Sequence, residues 1–144
     1  MKIQFTIPGN IVGKQRPKFA KRGNFVTTYT PEKTVNYENL VKLAFQQYAK
    51  ECECCCFEKT IPLKVSIQAF FQIPASVSKK KAEQMQQGYI RPTKKPDSDN
   101  VAKSILDALN GIAFHDDAQV AELTVSKFYA LYPKAIVTIE ELFQ

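Results

Sequence analysis

A run of alternating side chains in residues 63–73 restricts the fold more than any other feature of this sequence. Apolar residues stand at every second position from Leu63 to Ile73, and all but one of the residues between them are polar. Successive side chains of a strand point to opposite faces, so the run predicts a strand with one buried face. Such a face needs a second layer of structure packed against it.

The remaining elements follow from similar patterns. Residues 2–8 alternate and stop at Pro8-Gly9, which predicts a first strand. Thr30 as N-cap and Pro31 as first helical residue predict a helix that runs to about Lys50. The residues between these two elements, 13–24, are interpreted as a basic loop.

The second half of the chain continues this order. A short basic helix is predicted over residues 77–87, an extended segment over 89–96 and a helix over 99–110. Residues 120–131 and 135–142 are predicted to form two strands of an antiparallel hairpin. Without repeats or linkers, the order predicts one compact domain over residues 1–144. Its class is α/β (α+β), with helices packed on a mixed sheet.

Composition limits the class of protein further. The chain has 144 residues, 44% of them hydrophobic, enough for a packed core. No apolar run is long enough to span a membrane, and the N-terminus lacks the pattern of a signal peptide, so a cytoplasmic protein is expected. The four cysteines, at positions 52, 54, 55 and 56, lack the spaced pairs of a structural zinc site. They predict reduced thiols, with a peripheral metal as the alternative.

Charge is distributed unevenly along the chain. The net charge is +6, and residues 1–22 carry six bases and no acid. Residues 79–95 carry six more bases and one acid, whereas residues 97–122 carry six acids and a single lysine. An acidic centre within a basic protein is typical of a metal-dependent nuclease, although solvated surfaces explain the charge pattern about equally well.

The acidic centre begins at Asp97-Ser98-Asp99. If the chain is extended up to Asp99, the two carboxylates point to one side and can both reach one divalent ion. Asp99 as a simple helix cap is the structural alternative. Two further acids, Asp116 and Asp117, follow the helix and are predicted to converge with the first pair around metal ions. Lys103, one turn beyond Asp99, would then lie near a phosphate.

Other chemistries fit less well. The calcium-loop pattern that starts at Asp97 fails at Val101 and Ala102, and no glycine-rich phosphate loop exists. The single histidine, His115, is interpreted as a turn residue, with a supporting role behind the acids as the alternative.

Two stretches together resemble the RusA family of Holliday-junction resolvases. The first runs from Lys95 to Gly111 and the second is Asp116-Asp117-Ala118-Gln119-Val120. The early Gly-x-x-Arg-Pro-Lys segment, residues 13–18, is similar to the family as well. The resemblance implies a small homodimeric endonuclease, often prophage-encoded, that depends on Mg²⁺ or Mn²⁺ and acts in DNA recombination and repair. It implies no small-molecule cofactor.

The resemblance also implies roles for individual residues. Asp97, Asp99 and Asp117 match catalytic, metal-binding aspartates, Asp116 matches the neighbouring acid, and Lys103 matches a catalytic lysine. Asn100, Asp107 and Gln119 match supporting positions. The segment from Cys52 to Lys59 and the basic stretch 79–95 depart from the pattern and put junction selectivity in doubt.

DNA contacts are expected from bases on both sides of the acidic centre. The expected residues are Lys14, Arg16, Lys18, Lys21 and Arg22, together with Lys94 and Lys95 of a second group that also contains Lys79, Lys80, Lys81 and Arg91. The leading hypothesis is a metal-dependent enzyme that resolves four-way junctions by paired symmetric nicks. The alternatives are a nuclease of the same fold for other branched DNA, a DNA-structure binder without catalysis and, more distantly, a zinc-dependent interaction module.

Overall fold

The computed structural model describes residues 1–53 and 56–142. It contains six strands and three α-helices within this part of the chain. The strands are β1 (Lys2–Pro8), β2 (Lys18–Arg22), β3 (Phe25–Tyr29), β4 (Leu63–Gln72), β5 (Val120–Ala130) and β6 (Lys134–Glu141). The helices are α1 (Glu32–Cys52), α2 (Lys79–Gln86) and α3 (Ser98–Leu109), and a turn of 3₁₀ helix covers Asp117–Gln119.

Four of the strands form one mixed sheet in the order β1-β6-β4-β5. β6 runs antiparallel to both of its neighbours, whereas β4 and β5 are parallel, with Leu63 opposite Val120. The predicted class, a single compact α+β domain with a mixed sheet, is confirmed. The predicted hairpin of the last two strands is wrong, because β4 lies between β5 and β6.

The hydrophobic core lies between one face of this sheet and two helices. In β4 the residues from Leu63 to Phe71 alternate between buried and more exposed positions, as the alternation predicts. α1 and α3 pack against each other, and α3 is buried along most of its length. Val101, Ile105 and Leu109 are fully buried, which confirms the predicted apolar stripe and fixes the orientation of α3 on the sheet.

Helix boundaries differ from the prediction by one or two residues. α1 starts at Glu32 because Pro31 is extended and serves as the N-cap, where Thr30 was predicted, and the helix ends at Cys52. α3 starts at Ser98, so Asp99 lies in the first helical turn. The predicted extended chain up to Asp99 is therefore wrong at Ser98, and the extended path ends at Asp97, so its geometry no longer argues that the two carboxylates point to one side.

The predicted basic loop of residues 13–24 is also wrong in its second half. Residues 18–29 form a two-stranded antiparallel hairpin, β2 with β3, which is separate from the main sheet. Nine of its ten strand residues are exposed, among them Phe19, Phe25 and Tyr29. We call residues 18–29 the basic arm. The sequence did not predict this hairpin, because neither of its strands has a buried face and so neither shows the apolar alternation of a core strand.

Two smaller findings concern the cysteines and membranes. Cys52 and Cys56 are exposed, and Cys54 and Cys55 lie outside the described residues. None of the described helices is both long and apolar enough to cross a bilayer.

Candidate nuclease site at the start of helix α3

Two of the predicted catalytic acids lie at the N-terminal end of α3. Asp97 is the N-cap residue, but its side chain makes no capping hydrogen bond, and only its backbone carbonyl accepts from the Val101 N–H, at 3.0 Å. Asp99 follows in the first turn, and both residues are exposed. An N-cap aspartate normally accepts a hydrogen bond from the helix. Asp97 instead keeps both carboxylate oxygens available to a ligand.

The segment before β2 holds this helix end in place. The Lys14 N–H donates to the Asn100 carbonyl at 2.8 Å, and the Ser104 hydroxyl lies 2.9 Å from the Val12 carbonyl. A Cβ atom on Gly13 would lie 2.5 Å from Cβ of Pro96. Only glycine permits this approach, so residues 11–14, which we call the seated segment, fix the start of α3.

An ion-pair cluster extends from the seated segment. The Lys14 ammonium lies 2.6 Å from Glu38 of α1 and 3.3 Å from Asp107 of α3, and Lys103 lies 3.7 Å from Asp107. Burial acts to lower the pKa of Lys14, but the hydrogen bonds and charges of Glu38 and Asp107 outweigh it, so this pKa is raised. Asp107 therefore lies between two lysines, and Lys14 joins α1 to α3.

Residues 91–96 approach the site from the other side and are attached to β5. The Arg91 guanidinium stacks 3.9 Å from the centre of the Phe128 ring and donates to the Lys127 carbonyl. The Lys127 ammonium in turn donates to the Lys94 carbonyl at 2.6 Å. These contacts position the chain that leads into Asp97.

The second pair of predicted acids begins the 3₁₀ turn before β5. Asp116 is the N-cap, and its carboxylate accepts from the Ala118 N–H at 3.3 Å. The Gln119 side chain accepts from the His115 N–H at 2.8 Å and donates to the Glu58 and Ile61 carbonyls, at 2.7 and 3.1 Å. Gln119 therefore ties this turn to the segment before β4, and half-buried Asp117 is the first residue of the turn.

The two pairs of acids lie towards opposite ends of the sheet. The 3₁₀ turn leads into Val120, which pairs with Leu63 at the start of β4. Pro96 instead lines a cavity with Phe71, Gln72 and Ile73, at the end of β4. A ten-residue strand is roughly 30 Å long at 3.3 Å per residue. Accordingly, the described residues of one chain contain no group of three acids, histidines or cysteines that could hold a metal ion.

A cavity of about 440 Å³ opens beside Asp97. Its lining includes Lys14, Lys33 and Lys95 as well as Gln15 and Asn100. Sequence reasoning missed Lys33 and Gln15, because Lys33 belongs to α1 and only the fold brings its first turn next to α3. The other predicted DNA-binding residues, Arg16, Lys18, Lys21, Arg22 and Lys94, are all exposed.

Exposed carboxylates beside a lysine-lined cavity, on a basic α+β domain, are the features of a protein that acts on a phosphate polymer. Comparison with known proteins gives the family. The family model described as "Endodeoxyribonuclease RusA" matches residues 8–140. The chain belongs to the RusA family of endodeoxyribonucleases, which confirms the resemblance seen in the sequence.

Two relatives extend this finding. The chain is 37% identical over 142 residues to a protein of Bacillus subtilis (strain 168) named "Uncharacterized protein YqaN", covering 97% of this chain and 96% of that protein. It is 32% identical over 73 residues to the "Crossover junction endodeoxyribonuclease rusA" of Lactococcus phage r1t, covering 50% of this chain and 49% of that protein.

Proposed function

We propose that this protein is a metal-dependent endonuclease that resolves Holliday junctions by paired symmetric nicks. The observation that carries the proposal is the start of α3, where the exposed carboxylate of Asp97 makes no capping bond and borders a lysine-lined cavity. The carboxylate can bind a cation, and the lysines around it attract a phosphate. The phage relative named as a crossover junction endodeoxyribonuclease supports the choice of substrate.

The metal in this proposal is Mg²⁺, with Mn²⁺ as the alternative. Mg²⁺ is usually bound through one or two carboxylates, with water and substrate phosphates as the other ligands. Asp97 and Asp99 supply carboxylates of this kind, with Asp117 and Asp116 as further ligands. When bound, such a metal lowers the pKa of water and stabilises charge on the phosphate.

The lysines have separate tasks in the proposed reaction. Lys103 is 61% exposed in its side chain and lies one helical turn after Asp99, so its ammonium can stabilise negative charge on the phosphate. Asp107 limits the reach of Lys103 and neutralises Lys14. Asn100 supports the site through its carbonyl, which holds the Lys14 N–H.

A homodimer belongs to the same proposal. Asp97 and Asp99 lie towards one end of the sheet and Asp117 towards the other, and one chain does not bring them together. In a two-fold dimer, a surface of one subunit that contacts a second surface of its partner does so twice. The acid pairs of two subunits can therefore form two equivalent sites, which suits a junction with two-fold symmetry.

DNA binding is assigned to the basic arm, Arg16, Lys94 and Lys95, whereas Lys14, which was also expected to contact DNA, is paired with Glu38 and Asp107 and is given a structural role. The arm carries Lys18, Lys21 and Arg22 on strands that pack against little else. A role in recombination and repair of bacterial or phage DNA, in the cytoplasm, follows from the proposed substrate.

Cleavage of a labelled synthetic four-way junction tests the proposal. Wild type is expected to make paired symmetric nicks in Mg²⁺ or Mn²⁺, none in chelator, and fewer on matched linear duplex. Asp99→Asn should bind the junction but lose more activity than the roughly 10–100-fold that follows loss of a residue supporting a metal ligand. Glu122→Gln, which changes an exposed acid on β5, is the matched control and should cut normally.

Other results would select the alternative functions. Equal or better cleavage of flaps or forks would favour a nuclease for other branched DNA. Junctions bound but never cut in either metal would favour a DNA-structure binder, and Asp97, Asp99 and Asp117 would lose their assigned chemistry.

Mixed dimers test the arrangement of the acids. When Asp99→Asn and Asp117→Asn chains are refolded together, a site shared between subunits leaves each mixed dimer with one complete set of acids, so nicking returns. When each subunit uses only its own acids, every site carries a substitution and nicking stays absent.

A further inference from the structure

The cavity beside Asp97 contains more positive charge than the protein itself neutralises. Three lysines line it, and Lys14 is paired with Glu38 and Asp107. Lys33 and Lys95 are exposed and make no ion pair with any carboxylate in the described part of the chain. Asp97 is the single acid in the lining.

Lys33 carries its positive charge at an end of a helix that attracts anions. Lys33 is the second residue of α1, and the N-terminus of a helix carries partial positive charge that disfavours a cation. The N-terminal end of α3, with Asp97 and Asn100, lines the same cavity. The N-terminal end of α3 and two unpaired ammonium groups, one of them from the first turn of α1, therefore line one space, and a bound anion would relieve the repulsion among them.

The size and walls of the cavity indicate what kind of anion it takes. Its volume of about 440 Å³ lies within the range of roughly 300–1,000 Å³ for pockets that hold small ligands. Ile11, Val12 and Pro96 give it an apolar wall, and the Gln15 amide adds a hydrogen-bond donor. Apolar wall, amide and ammonium groups match the sugar and the phosphate of one nucleotide.

We infer that this cavity is a subsite for the DNA strand next to the scissile bond, in which Lys33 and Lys95 hold one backbone phosphate. Lys33 is then a positioning residue that fixes the strand relative to Asp97. The inference rests on the proposed nuclease function but concerns binding, so it is testable without cleavage. The ligand is a phosphodiester within a DNA strand rather than a free nucleotide or inorganic phosphate.

Junction binding in chelator, measured over a range of salt concentrations, is the first test. Lys33→Gln should weaken binding and reduce the slope of log K against log salt by about 0.9, the value for one phosphate that is no longer neutralised. Lys50→Gln is the matched control, because Lys50 is an exposed lysine on α1 roughly 25 Å away at 1.5 Å per residue. Its slope should equal that of wild type, and thermal unfolding should show both variants folded.

Replacing single phosphates by neutral methylphosphonates near the branch point identifies the phosphate that Lys33 binds. At one position the substitution should cost wild type more affinity than it costs Lys33→Gln, because one of the two lysine partners of that phosphate is already gone. Equal behaviour of Lys33→Gln and Lys50→Gln in both experiments overturns the inference. So does competition by inorganic phosphate or a mononucleotide as strong as by a DNA strand of equal phosphate concentration.

The outcome is separable from that of the proposed function. If wild type cuts no junction in any metal but Lys33 is found to bind a phosphate, the nuclease proposal fails and the subsite remains as a DNA-binding site. If wild type cuts and Lys33 binds no phosphate, the proposed function stands and this subsite does not.

Discussion

Two neighbouring parts of the chain, the seated segment and the basic arm, both carry basic residues but have opposite environments. Lys14 of the seated segment has 21% of its side chain exposed and pairs with two carboxylates. Lys18, Lys21 and Arg22 of the basic arm are exposed, and the arm packs little against the rest of the described structure. Charge that looks uniform in the sequence is therefore divided between a structural role and an available surface.

The difference follows from what each part packs against. The seated segment lies on α1 and α3, where Glu38 and Asp107 neutralise Lys14 and a glycine permits close approach to Pro96. The arm is a two-stranded hairpin, which is marginally stable in isolation. We expect changes in the seated segment to alter folding and changes in the arm to alter DNA binding, with little overlap.

The largest effect on stability is expected for Lys14→Met. Removing the ammonium leaves Glu38 and Asp107 near each other without a counter-charge, which should cost about 1–3 kcal/mol in the free energy of unfolding. Urea unfolding measures the change. Lys18→Met in the arm is the matched control and should stay within about 0.5 kcal/mol of wild type.

A double variant and a pH series sharpen this prediction. Lys14→Met with Glu38→Gln should recover part of the missing stability, because one of the two uncompensated charges is removed.

The pKa of Lys14 is raised in the fold, so its contribution to stability is fully present below its ordinary value of 10.5 and is lost as pH rises through the folded pKa. The difference in the free energy of unfolding between wild type and Lys14→Met should therefore become smaller above pH 10.5. A difference that stays constant would contradict the ion-pair explanation.

The next effect, about 1–3 kcal/mol from overpacking, is expected for Gly13→Ala. The added Cβ would lie 2.5 Å from Cβ of Pro96 and 3.2 Å from Cβ of Asn100, so the segment must shift away from α3. Because this shift moves the residues beside Asp97, cleavage should decrease along with the melting temperature. Gly23→Ala in the arm is the comparison, since nothing lies within 4 Å of its added Cβ. Its positive φ of 59° adds local strain there without contact to the site.

The sequence predicts most helices and strands of the main domain because they have a face in the core. β4, with its strict alternation, and the apolar stripe of α3 are found within one residue of their predicted starts. The position of β4 between β5 and β6 could not be predicted, since strands adjacent in sequence with a short turn usually pair and only tertiary packing separates them.

The candidate site is predictable in its residues but not in its arrangement. Asp97 and Asp99 stand next to a recognisable helix start, so the sequence places them correctly to within one residue. The separation of Asp117 from them depends on the direction of β5, which is parallel to β4. Lys33 lines the cavity only because α1 packs on α3. The same packing places Glu38 and Asp107 next to Lys14 and pairs it with them. Long-range packing, which no local pattern encodes, decides all three.

The smallest effect on stability, and the clearest on binding, is expected for the basic arm. A variant with Lys18, Lys21 and Arg22 all changed to Ala should have a free energy of unfolding within about 0.5 kcal/mol of that of wild type. These exposed side chains form no ion pair with the described residues. Junction binding in chelator should weaken, and its salt slope should decrease by about 0.9 for each phosphate that the arm no longer neutralises. If the slope is unchanged, the arm does not bind DNA. If the variant loses stability while its salt slope is unchanged, the arm has a structural role like the seated segment. The assignment of folding to one part and DNA binding to the other is then wrong.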